Sequence, residues 1–136
     1  MWHWDSYIQR QNLWHHFRRF RELIDGIDPV AERFSPFTAD ENGVRAYGLD
    51  GRTQTLVWCR DTATTWQTEL VAGQPAGTLS GLSLRLPESA RYAATARVYN
   101  PWNGTWNEAQ VNEGRVTLPP FRRSVIVLLT KVSDED

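Results

Sequence analysis

Two kinds of residue in this sequence have the chemistry to hold or act on a ligand: its aromatic side chains, above all seven Trp, and its pairs of carboxylates. Indole faces stack on sugar rings and on other flat apolar surfaces, and seven in so short a chain is more than core packing alone recruits. Tyr99, Trp102 and Trp106 cluster about one hairpin, and Trp58 and Trp66 flank the start of a long loop. If two or three of them lie exposed in a row, with Asn100, Asn103 and Asn107 beside them to bond hydroxyls, they form a platform for a polysaccharide. Its candidate residues are Trp66, Tyr99, Trp102 and Trp106. The plainer alternative is packing: strand alternation turns Tyr99 and Trp106 away from Trp102, and a Trp at a turn folds back over the end of a β-sandwich.

Hydrolysis of a glycosidic bond needs two carboxyl groups about 5–10 Å apart. The candidate pairs are Asp25 with Asp28, Asp40 with Glu41, and Asp61 with Glu69. They fall at a helix end, in a linker and across a loop, none set among aromatics, so each reads as solvated and no catalytic residue is assigned. His15 and His16 are adjacent, and neighbours on a helix diverge by roughly 100°, so no metal site is expected. Nothing calls for a cofactor. Cys59, the single cysteine, sits in the apolar run Leu56-Val57-Trp58-Cys59 and reads as an inert core thiol. Asn103-Gly104-Thr105 matches a glycosylation sequon, but Asn-Gly is also a favoured hairpin turn, which accounts for it fully.

Fifteen basic and sixteen acidic residues are spread along the chain for a net charge of −1, which leaves no footprint for nucleic acid or an anionic membrane. No apolar run approaches the roughly 20 residues that span a bilayer, and Met1-Trp2-His3-Trp4-Asp5 is no signal peptide. The compartment stays open.

The elements that must position these residues divide by period. Leu13, Trp14, Phe17, Phe20, Ile24 and Ile27 recur at three- and four-residue steps, the apolar face of an amphipathic helix with Asn12 as N-cap and Gly26 as stop. Arg18, Arg19, Arg21, Glu22 and Asp25 form its solvated face. A helix this short is marginal alone, so it needs a partner surface: the sandwich, a second copy of the chain, or other protein. Residues 28–42, with Pro29, Ser35-Pro36 and Asp40-Glu41-Asn42, read as a linker. Beyond it the pattern is β. Val44–Leu49 and Thr53–Arg60 flank Asp50-Gly51, a two-residue hairpin signal. Asp61–Thr78 reads as a long loop with one short strand near Glu69–Val71. Leu82, Leu84 and Leu86, then Tyr92 to Val98, alternate as half-buried strands. Asn103-Gly104 and Asn112-Glu113-Gly114 are turns, and Ser124–Thr130, apolar on both faces, is a central strand. The expected fold is all-β, an antiparallel sandwich of about seven or eight strands over residues 43–132, preceded by one N-terminal amphipathic helix and followed by a disordered acidic tail, 133–136.

Two stretches resemble a known family. Trp2-His3-Trp4-Asp5-Ser6-Tyr7-Ile8 followed by Asn12-Leu13-Trp14-His15-His16-Phe17 resembles the eighth strand, loop and last helix of a TIM-barrel glycoside hydrolase. Arg45-Ala46-Tyr47-Gly48-Leu49, Leu56-Val57-Trp58, Val98-Tyr99-Asn100-Pro101-Trp102-Asn103-Gly104 and Leu118-Pro119-Pro120-Phe121 with Val125-Ile126-Val127-Leu128 are similar to the C-terminal β-sandwich that follows such barrels. The resemblance implies a barrel remnant over residues 1–27 and a non-catalytic accessory sandwich, because the family's acid/base and nucleophile glutamates belong to the fourth and seventh barrel strands. It also implies that Trp2 or Trp4 matches the tryptophan lining the sugar subsite at the end of the eighth strand. The expected partners are then the parent enzyme's catalytic barrel, or a second copy of the chain, through the Leu13–Ile27 helix. Polysaccharide binding is the alternative function and self-association as a scaffold a further one.

Overall fold

The computed structural model describes residues 14–65, 67–91, 93 and 95–131. Trp2, Trp4, Trp66, His3 and the acidic tail lie outside the described residues. Nine strands among the described residues form two antiparallel sheets that share one hydrophobic core, an open sandwich. The larger sheet has the order β1 (Ser35–Glu41), β2 (Val44–Asp50), β3 (Gln54–Asp61), β9 (Ser124–Thr130), β5 (Thr95–Asn100), β6 (Thr105–Ala109). The smaller has β4 (Ser83–Arg85), β8 (Arg115–Thr117), β7 (Val111–Asn112), extended by a bridge between Leu79 and Phe121.

Period-two alternation places the core. Val44, Ala46, Val57, Cys59, Ala96, Val98, Val125, Val127 and Leu129 face inward from the large sheet. Leu84, Val116 and Leu118 meet them from the small one. The run Ser124–Thr130 is central as expected, hydrogen-bonded to β3 on one side and β5 on the other. Glu41 ties the two sheets at their edge, accepting from the Arg115 guanidinium and, at 3.2 Å, from the Arg85 main-chain N–H. The Arg115 bond holds its carboxyl below the usual range, outweighing the opposing effect of burial.

Three local expectations are corrected. The linker 28–42 contains a short helix, α2 (Pro29–Glu32), and the edge strand β1. Asn42 and Gly43, both at positive φ, make the two-residue turn from β1 into β2. Pro36 is tolerated because β1 is an edge, and Phe37 and Ala39 pack on the core. The β2–β3 hairpin is not a two-residue turn at Asp50-Gly51. The register pairs Asp50 with Thr55, and the loop between them is closed by Gly51 N–H to Gln54 C=O, 2.8 Å. Gly51 is required there because the Glu32 carboxylate and the Phe34 ring fill the space of a Cβ. That carboxylate accepts the N–H groups of Thr53 (2.8 Å) and Gln54 (3.1 Å) and the Thr53 hydroxyl, so α2 caps the hairpin. The strand expected near Glu69–Val71 is a helical turn, Gln67–Val71, opened by reciprocal bonds between Thr65 and Thr68. Hydroxyl capping of this kind favours a helix start over an extended strand.

The amphipathic helix α1 spans Trp14–Ile24, and Gly26 at φ +83° ends it as expected. It lies on the outer face of the large sheet. Leu23 is 4% exposed, and Arg19 Nη1 donates to the carbonyls of Pro101 (3.1 Å) and Trp102 (2.7 Å). Arg19, expected on the solvated face, is therefore the residue that fastens the helix.

Candidate functional site

The outer face of the large sheet is where the aromatic residues gather. The ladder registers align Thr38, Tyr47, Trp58, Ile126, Tyr99 and Trp106 in one row running across all six strands. The adjoining row is Pro36, Leu49, Leu56, Leu128, Arg97 and Glu108. Such a face is apolar over β2, β3 and β9, where a one-sided antiparallel sheet ordinarily turns polar groups to water.

The two ends of the aromatic row differ. At the β5–β6 end Tyr99 is 1% exposed, its ring 4.8 Å from that of Trp106 and its hydroxyl buried with no hydrogen-bond partner among the described residues. Burial, reinforced by the negative charge of Glu22 on α1, pushes the phenol above its ordinary pKa, against weaker opposing effects of Arg19 and Arg18. Trp106 is covered by the Arg97 guanidinium, 4.1 Å from its ring centre. Tyr99 is thus not a stacking surface, and it forms no exposed platform with Trp106 and Trp102. Alternation predicts that Tyr99 and Trp106 turn away from Trp102, but Trp102 folds back onto the same outer face, where it joins Tyr47, Trp58 and Ile126 and reaches Ser124.

Toward β2 and β3 the row is open. Trp58 is 45% exposed, as is Trp102 at 46%, which reaches over Ser124 from the β5–β6 loop, and Tyr47 stacks on Trp58 with ring centres 5.7 Å apart. Between this face and α1 runs a groove of about 620 Å³ whose walls are Phe20, Leu23, Tyr47, Trp58, Trp102 and Ile126. Phe20 stands over it, 63% exposed. The β5–β6 loop holds Trp102 by a web of short bonds: Asn100 Oδ1 accepts from the Trp102 N–H at 2.9 Å, and Asn103 Oδ1 from the Thr105 N–H at 3.0 Å. Trp102 Nε1 donates to Ser124 Oγ at 3.3 Å. Asn100 and Asn103, read above as partners for hydroxyl groups, are occupied in shaping this loop.

Five of the six candidate carboxylates, all but Asp25, are likewise committed. Asp28 caps α2 through the N–H groups of Val30 and Ala31, Asp40 pairs with Arg45 at 2.8 Å, and Glu41 with Arg115. Asp61 accepts from Ala63 and Thr64, and Glu69 pairs with Arg123 at 2.7 Å. Among the described residues no group of three His, Cys, Asp or Glu could hold a metal ion, and no helix is long and apolar enough to cross a membrane.

No protein-family model matches the chain, and no curated protein matches it. The groove residues least visible in the sequence are Tyr47, Leu49 and Ile126, because they come from two strands, β2 and β9, that meet only through the registers of β3. The available signal was parity: Tyr47 and Trp58 alternate out of phase with the core residues Ala46, Val57 and Cys59.

Proposed function

We propose that the chain is a non-catalytic accessory β-sandwich of a glycoside-hydrolase-like protein, and that α1 and the groove beside it carry a catalytic barrel that is no part of these 136 residues. A (β/α)8 barrel takes about 250 residues by itself. One observation supports the reading most. The helix α1, which by resemblance is the barrel's last helix, is fastened to the sandwich through Arg19 and Leu23. Its Phe20 and Ile24 remain exposed. A helix gripped on one flank and apolar on the next is suited to lie between two bodies, with the Tyr47–Trp58 face continuing the same apolar surface.

The purified chain is expected to release no reducing ends from xylan, β-glucan, mannan, arabinan or pectin. Hydrolysis of any of them, abolished by substituting one of this chain's own carboxylates, would overturn the non-catalytic reading.

A further inference from the structure

Beside the apolar groove, on the far side of the same two indoles, lies a smaller and more polar cleft of about 290 Å³, near the lower end of the roughly 300–1,000 Å³ usual for ligand pockets. Trp58 and Trp102 flank it, and Arg60, Glu69, Arg123 and Ser124 supply its polar groups. The charges do not balance. Glu69 is taken by Arg123, whose Nε donates to it at 2.7 Å while the guanidinium lies 4.9 Å from the ring centre of Trp102. Asp61 follows Arg60 in sequence but spends its carboxylate on Ala63 and Thr64. Arg60 lines the cleft and forms none of the ion pairs among the described residues. The group that best matches such a guanidinium is a carboxylate, which accepts from an Arg fork in two parallel bonds.

From this juxtaposition of two exposed indoles and one unpaired Arg, we infer that the cleft binds a hexuronate residue of an acidic polysaccharide. The sugar ring lies on the indole of Trp58 or Trp102, and its carboxylate meets Arg60. The aromatic faces select a ring with an apolar side. The fixed cation selects the acid over the neutral sugar, since a site built to bond a charged group is left unpaired by an analogue lacking it. With a net charge of −1 the chain as a whole has no general attraction for polyanions. This assignment does not depend on the barrel reading, and either can fail alone.

Affinity electrophoresis through polygalacturonate, alginate, neutral β-glucan and polyglutamate tests it, with Arg60→Met and Trp102→Leu beside the parent chain. Amide spectra of the variants verify that each is folded. The expected result is retardation by the two uronates only, weakened at least about tenfold in affinity by either substitution, as befits loss of a charge-assisted contact. If Arg60→Met does not fold, Trp102→Leu, which lies in a loop, decides. Absence of retardation by both uronates overturns the proposal. Equal retardation by polyglutamate overturns the sugar assignment, and equal retardation by β-glucan overturns the role of Arg60.

Discussion

Arg19 on α1 donates to the main-chain carbonyl of Trp102 at 2.7 Å, joining two residues that the sequence separates by 83 positions. The same nitrogen reaches Pro101, so one guanidinium closes the outward carbonyls of the β5–β6 loop while Leu23, one turn on, is buried against the sheet. An 11-residue helix is marginal alone in water, and among its described side chains these two hold it to the sandwich. In Leu23→Ala the amides of α1 are expected to exchange at nearly the rate of a free helix, while those of β3 and β9 keep their protection. The lost burial is worth about 2–3 kcal/mol. Uniform loss of protection throughout the sandwich would show instead that α1 is integral to the core.

The Glu32 carboxylate, although buried, is held below its ordinary pKa of 4.5. Desolvation pushes it up, but the bonds from the Thr53 hydroxyl and the Thr53 and Gln54 amides, aided by Arg52, outweigh this. Asp50 behaves alike: burial raises it, and Ser89, Lys131 and Thr55 more than compensate. Carboxyls depressed by folding contribute stability that is present above their unfolded pKa values and is lost as pH falls through the folded ones. Urea midpoints should therefore decline below about pH 4.5, and the decline should be smaller in Glu32→Gln. That variant is expected to be about 1–3 kcal/mol less stable at pH 7. An unchanged acid slope in Glu32→Gln would contradict the assignment.

Gly48 and Phe37 are partners across β1 and β2, and a methyl group at Gly48 would overlap the Phe37 ring. Gly48→Ala should cost about 1–3 kcal/mol, the range for overpacking. Because the two residues touch, the double variant Gly48→Ala/Phe37→Leu should be less destabilised than the sum of its parts. Strict additivity, measured by denaturant unfolding, would mean that the ring moves aside freely.

Burial pushes the Cys59 thiol up to about 12, so almost no thiolate is present at neutral pH. Labelling by a thiol reagent at pH 8 should be slow and should follow global opening, rising in parallel with the fraction unfolded in urea. Rapid labelling of the native chain would place Cys59 outside the core.

Where the sequence was most legible, one physical feature governed the outcome. Ser124–Thr130 is apolar at every central position, which only a strand covered on both faces and both edges can sustain, and it is the middle of the large sheet. Gly26 and the Asn112-Glu113-Gly114 turn were readable because left-handed backbone favours few residues. Register was not legible. A two-residue turn at Asp50-Gly51 would set Tyr47 opposite Gln54, whereas the longer loop capped by Glu32 sets it opposite Trp58. The shift is even, so both residues keep their face, but the Tyr47–Trp58 stack emerges only from the longer loop. Glu32, 21 positions before Thr53, carries no local signal of that role. Likewise Arg19 looks like any other cation on a polar helix face until the β5–β6 loop is in place. The cleft at Arg60 depends on which acids are already paired, and pairing is a tertiary fact.

The packing of α1 and its groove against a glycoside-hydrolase barrel is tested most directly by photocrosslinking from a benzoylphenylalanine placed at Phe20, the exposed residue over the groove, in the cells that make the protein. Sequencing of the cross-linked peptides should identify a (β/α)8 glycoside hydrolase as the partner surface. Adducts confined to a second copy of this chain, or to its own sandwich, would contradict that account.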